Sequence, residues 1–152
     1  MERKNYEDIA SGLFLKGCNC AQAVFLAFRE EIGLDEDSMI RLSAPFGGGC
    51  AGMREMCGAV SGMVMVMGCL TASSDYGDPA AKKALYKRVQ CLVDQFEAEN
   101  GSKVCAELLQ LVKGARPGPS LRSEAYYKAR PCVRLVHSAA RILGDWFEGQ
   151  KA

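Results

Sequence analysis

From Glu55 to Leu70 the chain is apolar on nearly every side, and this stretch most limits what the sequence can fold into. A helix without a polar face has to be enclosed by its neighbours, so residues 55–70 predict a central helix with no side turned to water. Gly58, Gly62 and Gly68 each weaken its intrinsic propensity by roughly 1 kcal/mol relative to alanine, and close helix-to-helix approach is the expected compensation. A strand over Val60 to Leu70 is disfavoured by Met63, Met65 and Met67 and by the lack of strict alternation.

Glycine and proline punctuate the rest into helices. Tyr6, Ile9, Ala10, Leu13 and Phe14 recur at helical spacing until Gly17. Asn19 caps a second helix that carries Val24, Phe25 and Phe28 and stops at Gly33. A short helix is expected from Asp35 to Leu42, then a flexible loop, Pro45-Phe46-Gly47-Gly48-Gly49. Asp78-Pro79 opens a helix that buries Leu85, Val89, Leu92, Val93 and Phe96 and ends at Asn100-Gly101. Ser102 is expected to cap a helix through Leu108, Leu109 and Val112 to Gly114. Arg116-Pro117-Gly118-Pro119 reads as a rigid connector, and Pro131 opens a last helix with Val133, Val136, Ile142 and Leu143. The expectation is an all-α, single-domain bundle of about five to six helices over residues 1–152.

The net charge of +1 argues against a nucleic-acid surface. The charged start, Met1-Glu2-Arg3-Lys4, does not read as a signal peptide. Gly58 to Ala72 is shorter than the ~18 apolar residues of a spanning helix. The chain is therefore expected to be cytoplasmic and not membrane-spanning. Thiols stay reduced there, and a cysteine-rich chain reads as redox or metal chemistry before it reads as a disulfide scaffold.

Eight cysteines are present, with one histidine and no Cys-x-x-Cys pair. Four of them share a place on the expected helices. Cys20 follows the Asn19 cap, Cys57 follows Arg54-Glu55, Cys105 lies just after Ser102, and Cys132 follows Pro131. Helix N-termini present unpaired N–H groups and about half a positive charge, which favour a thiolate. Cys20, Cys57, Cys105 and Cys132 are thus expected to cluster as the redox site. Cys57 is the first choice for the reactive thiol, because Arg54 lies one turn away. The same four sulfurs match the ligand count of an iron–sulfur cluster or a structural zinc, which keeps metal binding open. Cys69 and Cys91 are expected in the core. Cys18 reads as a bystander, and Cys50, after the glycine loop, could swing toward Cys57.

His137 does not share a helix face with Cys132 and reads as structural. Lys113, Arg116, Arg122, Lys128, Arg130 and Arg134 make the stretch before Cys132 basic, with Glu124 its acid. Such a run reads first as solvated surface; the functional alternative is that Arg130 or Arg134 helps hold a thiolate or an anionic ligand near Cys132. The methionines read as core filling. Gly47-Gly48-Gly49 lacks the Gly-Lys-Ser/Thr ending of a phosphate loop, so nucleotide binding is rejected.

These segments resemble the proteins named for the pattern C_GCAxxG_C_C. The resemblance rests on Cys57-Gly58-Ala59-Val60-Ser61-Gly62, on Cys20 in Asn19-Cys20-Ala21-Gln22, on Cys105 after Gly101-Ser102, on Pro131-Cys132-Val133, and on Phe46-Gly47-Gly48-Gly49. It implies redox activity and names no substrate. It also implies an unknown redox partner and association with a transporter, because members tend to lie beside transporter genes. Cys18, Cys50, Cys69 and Cys91 fall outside the pattern. Three functions follow in order: thiol–disulfide or electron-transfer chemistry at the four cysteines, iron–sulfur or zinc binding by the same four, and a non-catalytic adaptor of a transporter. Oligomeric state stays open.

Overall fold

The computed structural model describes residues 2–110, 122, 123, 126 and 130–151. Its order is α1 (Tyr6–Leu15), α2 (Cys20–Ala27), α3 (Arg29–Ile32), α4 (Glu36–Ser43), a 3-10 turn (Ala44–Phe46), α5 (Gly58–Thr71), α6 (Pro79–Asn100), α7 (Cys105–Leu109) and α8 (Cys132–Gly149). The fold is all-α. Among the described residues the only β feature is one isolated antiparallel bridge, Met56 to Val104. No helix of the described residues is long and apolar enough to cross a membrane.

Local chemistry sets most helix ends. Asn19 Oδ1 accepts from the Gln22 amide at 2.9 Å, and Gln22 Oε1 accepts from the Asn19 amide at 3.0 Å, a complete capping box. Asp35 caps α4 through the Ser38 amide at 2.8 Å, and Asp78 caps α6 ahead of Pro79. Gly33 (φ 78) and Gly101 (φ 90) close α3 and α6 in the left-handed region.

The core gathers around α5, which packs on α2, α6 and α8 while α1 lies across α2 and α8. A Cβ on Gly62 would stand 2.8 Å from the Ala21 carbonyl oxygen and 2.9 Å from Val24 Cβ. The α2–α5 crossing therefore depends on that missing methyl. Val60, Met63, Val66 and Met67 fill the centre with Phe14, Phe25, Phe96, Val136 and Leu143. Tyr6 stacks on Phe28 with ring centroids 4.1 Å apart.

Several expectations are corrected. The central helix starts at Gly58, because residues 54–57 are held out of the helix by backbone bonds to residues 103–106. The amide of Cys57 donates to Lys103 O at 2.8 Å, Cys105 to Glu55 O at 2.6 Å, and Ala106 to Arg54 O at 3.1 Å. Residues making those bonds cannot also make helical ones. Nor is α5 enclosed on all sides: its last turns emerge, with Val64, Met65, Gly68 and Leu70 half-buried and Cys69 exposed. Cys91 is also exposed, because α6 buries only the narrow stripe of Leu92, Val93 and Phe96. The helix expected through Phe28 to Gly33 breaks at Phe28. Ser102 does not cap α7. Its hydroxyl accepts from the Val104 amide at 3.0 Å and bonds the Glu107 carboxylate, and Val104 stands at the cap position. α7 ends at Leu109 with Gln110 at φ 57. Val112, Lys113, Gly114, the connector Arg116-Pro117-Gly118-Pro119, Glu124 and Lys128 lie outside the described residues.

Candidate functional site at four helix starts

Cys20, Cys105 and Cys132 are the first residues of α2, α7 and α8, and Cys57 is the residue that precedes α5. All four line one cavity of about 470 Å³. Cys57, Cys105 and Cys132 are 3%, 7% and 7% exposed, and Cys20 is half-buried. The closeness of α2 to α5 helps bring them together: a Cβ on Gly58 would lie 3.1 Å from Cys20 Cβ. Cys18, Cys50, Cys69 and Cys91 are not among the described lining residues.

The glycine loop forms one wall. Gly48, Gly49, Cys50, Ala51 and Gly52 run in succession at φ 50 to 75, and Arg54 follows at φ 61. Cys50, Ala51 and Arg54 carry a Cβ there, at a cost of about 1–2 kcal/mol each. Backbone bonds hold the turn: Ala51 N to Pro45 O at 2.7 Å, Arg54 N to Gly48 O at 3.1 Å and Glu55 N to Gly49 O at 2.8 Å. Gly49 is required for a second reason, since a Cβ there would sit 2.6 Å from Cys105 Cβ. The loop turns Arg54 inward. It is 5% exposed, Nη1 lies 3.9 Å from Cys105 Sγ, and Nε has no partner.

Arg122, Tyr126 and Arg130 also line the cavity. Arg122 donates to the carbonyls of Phe14 at 2.6 Å and Cys18 at 2.7 Å. Its guanidinium lies 4.2 Å from the Phe14 ring centre, and that of Arg130 lies 4.8 Å from the Tyr126 ring centre. Tyr126 was not legible as a site residue, although it stands four positions from both arginines, the spacing that puts helical neighbours on one face. Arg134 is directed away, with Nη1 3.3 Å from Asn100 Oδ1. His137 faces Asp8 at 3.9 Å.

These surroundings separate the four thiols. The interaction between the Cys20 and Cys132 side chains is the largest influence on both. It holds Cys132 down to about 7, with Arg130, Tyr126 and Arg122 acting the same way against burial. Cys20 is pushed well up by the same bond and by burial. Burial pushes Cys57 up to about 12; no cap hydrogen bond forms there, but the Ala59 and Val60 amides oppose the rise. Burial also raises Cys105, with Arg54 opposing it. The expectation that Arg54 activates Cys57 is therefore corrected. Arg54 contacts Cys105, because residues 54–57 do not form a helical turn and Arg54 itself stands at φ 61.

A closed zinc site needs sulfurs about 2.3 Å from one point. Among the described residues, no three His, Cys, Asp or Glu side chains converge as one metal ion requires.

No curated protein and no solved structure matches the chain. A family model described as "Putative redox-active protein (C_GCAxxG_C_C)" matches residues 18–146 and spans all four cavity cysteines. With that match over most of its length, the chain belongs to the C_GCAxxG_C_C family.

Proposed function

We propose that the protein carries out thiol–disulfide exchange, with Cys132 as the attacking thiolate and Cys20 as the resolving thiol, in a reducing compartment such as the cytoplasm. The observation that carries this is the pairing of the two: both begin helices, both line one cavity, and the interaction between their side chains is the largest influence on both thiols. An attacking thiol works best with a pKa near the ambient pH, and Cys132 has it. In the first step the Cys132 sulfur bonds to one sulfur of a disulfide R–S–S–R′ and R′S⁻ leaves. The Cys20 proton passes to that thiolate. The Cys20 sulfur then attacks Cys132 Sγ, RS⁻ leaves, and the dithiol has given two electrons. A dithiol reductant returns Cys20 and Cys132 to thiols by the reverse exchange.

A Cys20→Ser variant treated with bis(2-hydroxyethyl) disulfide should accumulate a mixed disulfide on Cys132, which the native chain resolves. An adduct lodged on Cys57 or Cys105 instead, or none at all, overturns this assignment.

One observation favours a second reading: all four thiols line the same cavity, the ligand count of an iron–sulfur cluster. Cys20, Cys57, Cys105 and Cys132 would hold it, and it would supply one-electron transfer. Anaerobic purification with iron, sulfide and visible-absorption analysis separates the two.

A further inference from the structure

Among the described residues the cavity carries more positive charge than one Cys132 thiolate needs. Arg54, Arg122 and Arg130 line it, and no described lining residue is a carboxylate. Among the described residues none of the three is in an ion pair. Arg122 satisfies its N–H groups on neutral carbonyls, which leaves its charge uncompensated. Arg54 is the strongest case: a guanidinium enclosed by protein, held by a strained loop, bonded to one sulfur, with Nε unpaired. An uncompensated buried charge is costly and is normally kept for a counter-charge. Among the described lining residues, Cys132 supplies at most one negative charge against three positive ones. The Gly48 and Gly49 amides, on the same wall, donate no hydrogen bond among the described residues.

Access narrows the choice further. With Cys132 7% exposed, a folded protein's disulfide cannot readily align with its sulfur. A cavity of about 470 Å³ falls within the ~300–1,000 Å³ typical of small-molecule sites. Apolar walls from Phe14, Leu108, Leu109 and Leu135 suit an aliphatic body.

We infer that the substrate is a small aliphatic disulfide carrying carboxylate or similar anionic groups, with Arg54 holding an anionic end while a disulfide sulfur meets Cys132. This deepens the exchange reading and rests on it. The chemistry is the balanced exchange above, in which R–S⁻ and R′–S⁻ are small anionic thiolates.

The test is a charge series of similar size: 3,3′-dithiodipropionate (anionic), bis(2-hydroxyethyl) disulfide (neutral) and cystamine (cationic). Each rate at Cys132 is normalised to the rate with free 2-mercaptoethanol. The expected result is at least about a tenfold preference for the anion over the neutral reagent, the lower end of electrostatic focusing in a charged cleft. Arg54→Met should collapse that ratio, and Arg54→Lys should retain part of it. Suberate, the isosteric dicarboxylate without a disulfide, should bind in calorimetry where 1,8-octanediol does not. If all three disulfides react alike, or cystamine leads, the anion inference is overturned and exchange stands. If none reacts at Cys132, exchange fails. Suberate binding then still decides the anion site: heat for suberate alone upholds it, and no heat overturns it.

Discussion

Replacing Cys20 with alanine removes the largest influence holding Cys132 down, so the Cys132 titration should move upward. A hydrogen bond to a charged group is worth about 1.5–3 kcal/mol, and 1.36 kcal/mol corresponds to one pKa unit. The shift should therefore be about 1–2 units. Rate at a single pH would report this poorly. At pH 7 about half of Cys132 is thiolate, against ~3% for an ordinary thiol near 8.5, a gain of roughly 16-fold. A Brønsted slope of about 0.4–0.5 returns roughly four- to sixfold of that through weaker nucleophilicity, which leaves only about threefold. The midpoint of a pH profile is the better readout. Iodoacetamide labelling of Cys132, followed by mass spectrometry from pH 5 to 10, should give a midpoint near 7 in the native protein and above 8 in Cys20→Ala. Circular dichroism would check that the variant keeps its helices. A midpoint unmoved by the substitution, or a native midpoint at or above 8.5, would refute this coupling of Cys132 to Cys20.

Other outcomes follow from the same geometry. Gly49→Ala should cost about 2–5 kcal/mol in urea unfolding, because it combines left-handed strain with a methyl 2.6 Å from Cys105 Cβ and 2.8 Å from Arg54 Cα; a loss under 1 kcal/mol would contradict the close approach. On α5 two glycines should behave oppositely. Gly62→Ala overpacks α2 and should destabilise by about 1–2 kcal/mol, whereas Gly68→Ala meets nothing within 4 Å and should stabilise by up to about 1 kcal/mol. Stability of the reduced protein should peak near pH 8. Cys132, lowered in the fold, contributes stability that is lost as pH falls from about 8.5 through 7. Cys20, Cys57 and Cys105, raised in the fold, contribute stability that is lost as pH rises above about 8.5, for Cys57 through about 12. A urea midpoint that keeps climbing above pH 9 would show that the raised thiols do not dominate.

What could be read from the sequence is what is written locally. Asn19, Asp78, Pro131 and the helix-ending glycines mark helix starts and stops within a few residues of themselves, so Cys20 and Cys132 could be placed at helix beginnings from the residues just before them. Gly58 and Gly62 likewise announced a close crossing. What could not be read depends on residues far apart in the chain. Residues 54–57 bond to residues 103–106 and not to a helix of their own, and that pairing sends Arg54 to Cys105 and away from Cys57. The thiolate character of Cys132 needs Cys20, Arg122 and Tyr126, which no periodicity in the Cys132 helix reveals. Cys69 and Cys91 sit among apolar neighbours in sequence, yet face outward, because an apolar run states a helix's composition and not which turns its partners cover.

The most direct measurement is the disulfide map of the native chain after mild oxidation with bis(2-hydroxyethyl) disulfide, digested without reductant and read by mass spectrometry. Exchange at this site predicts one dominant cross-link, Cys20 to Cys132, that dithiothreitol reverses with recovery of both thiols. A cross-link between Cys57 and Cys105, or a protein that takes up the reagent without ever linking Cys20 to Cys132, would contradict it.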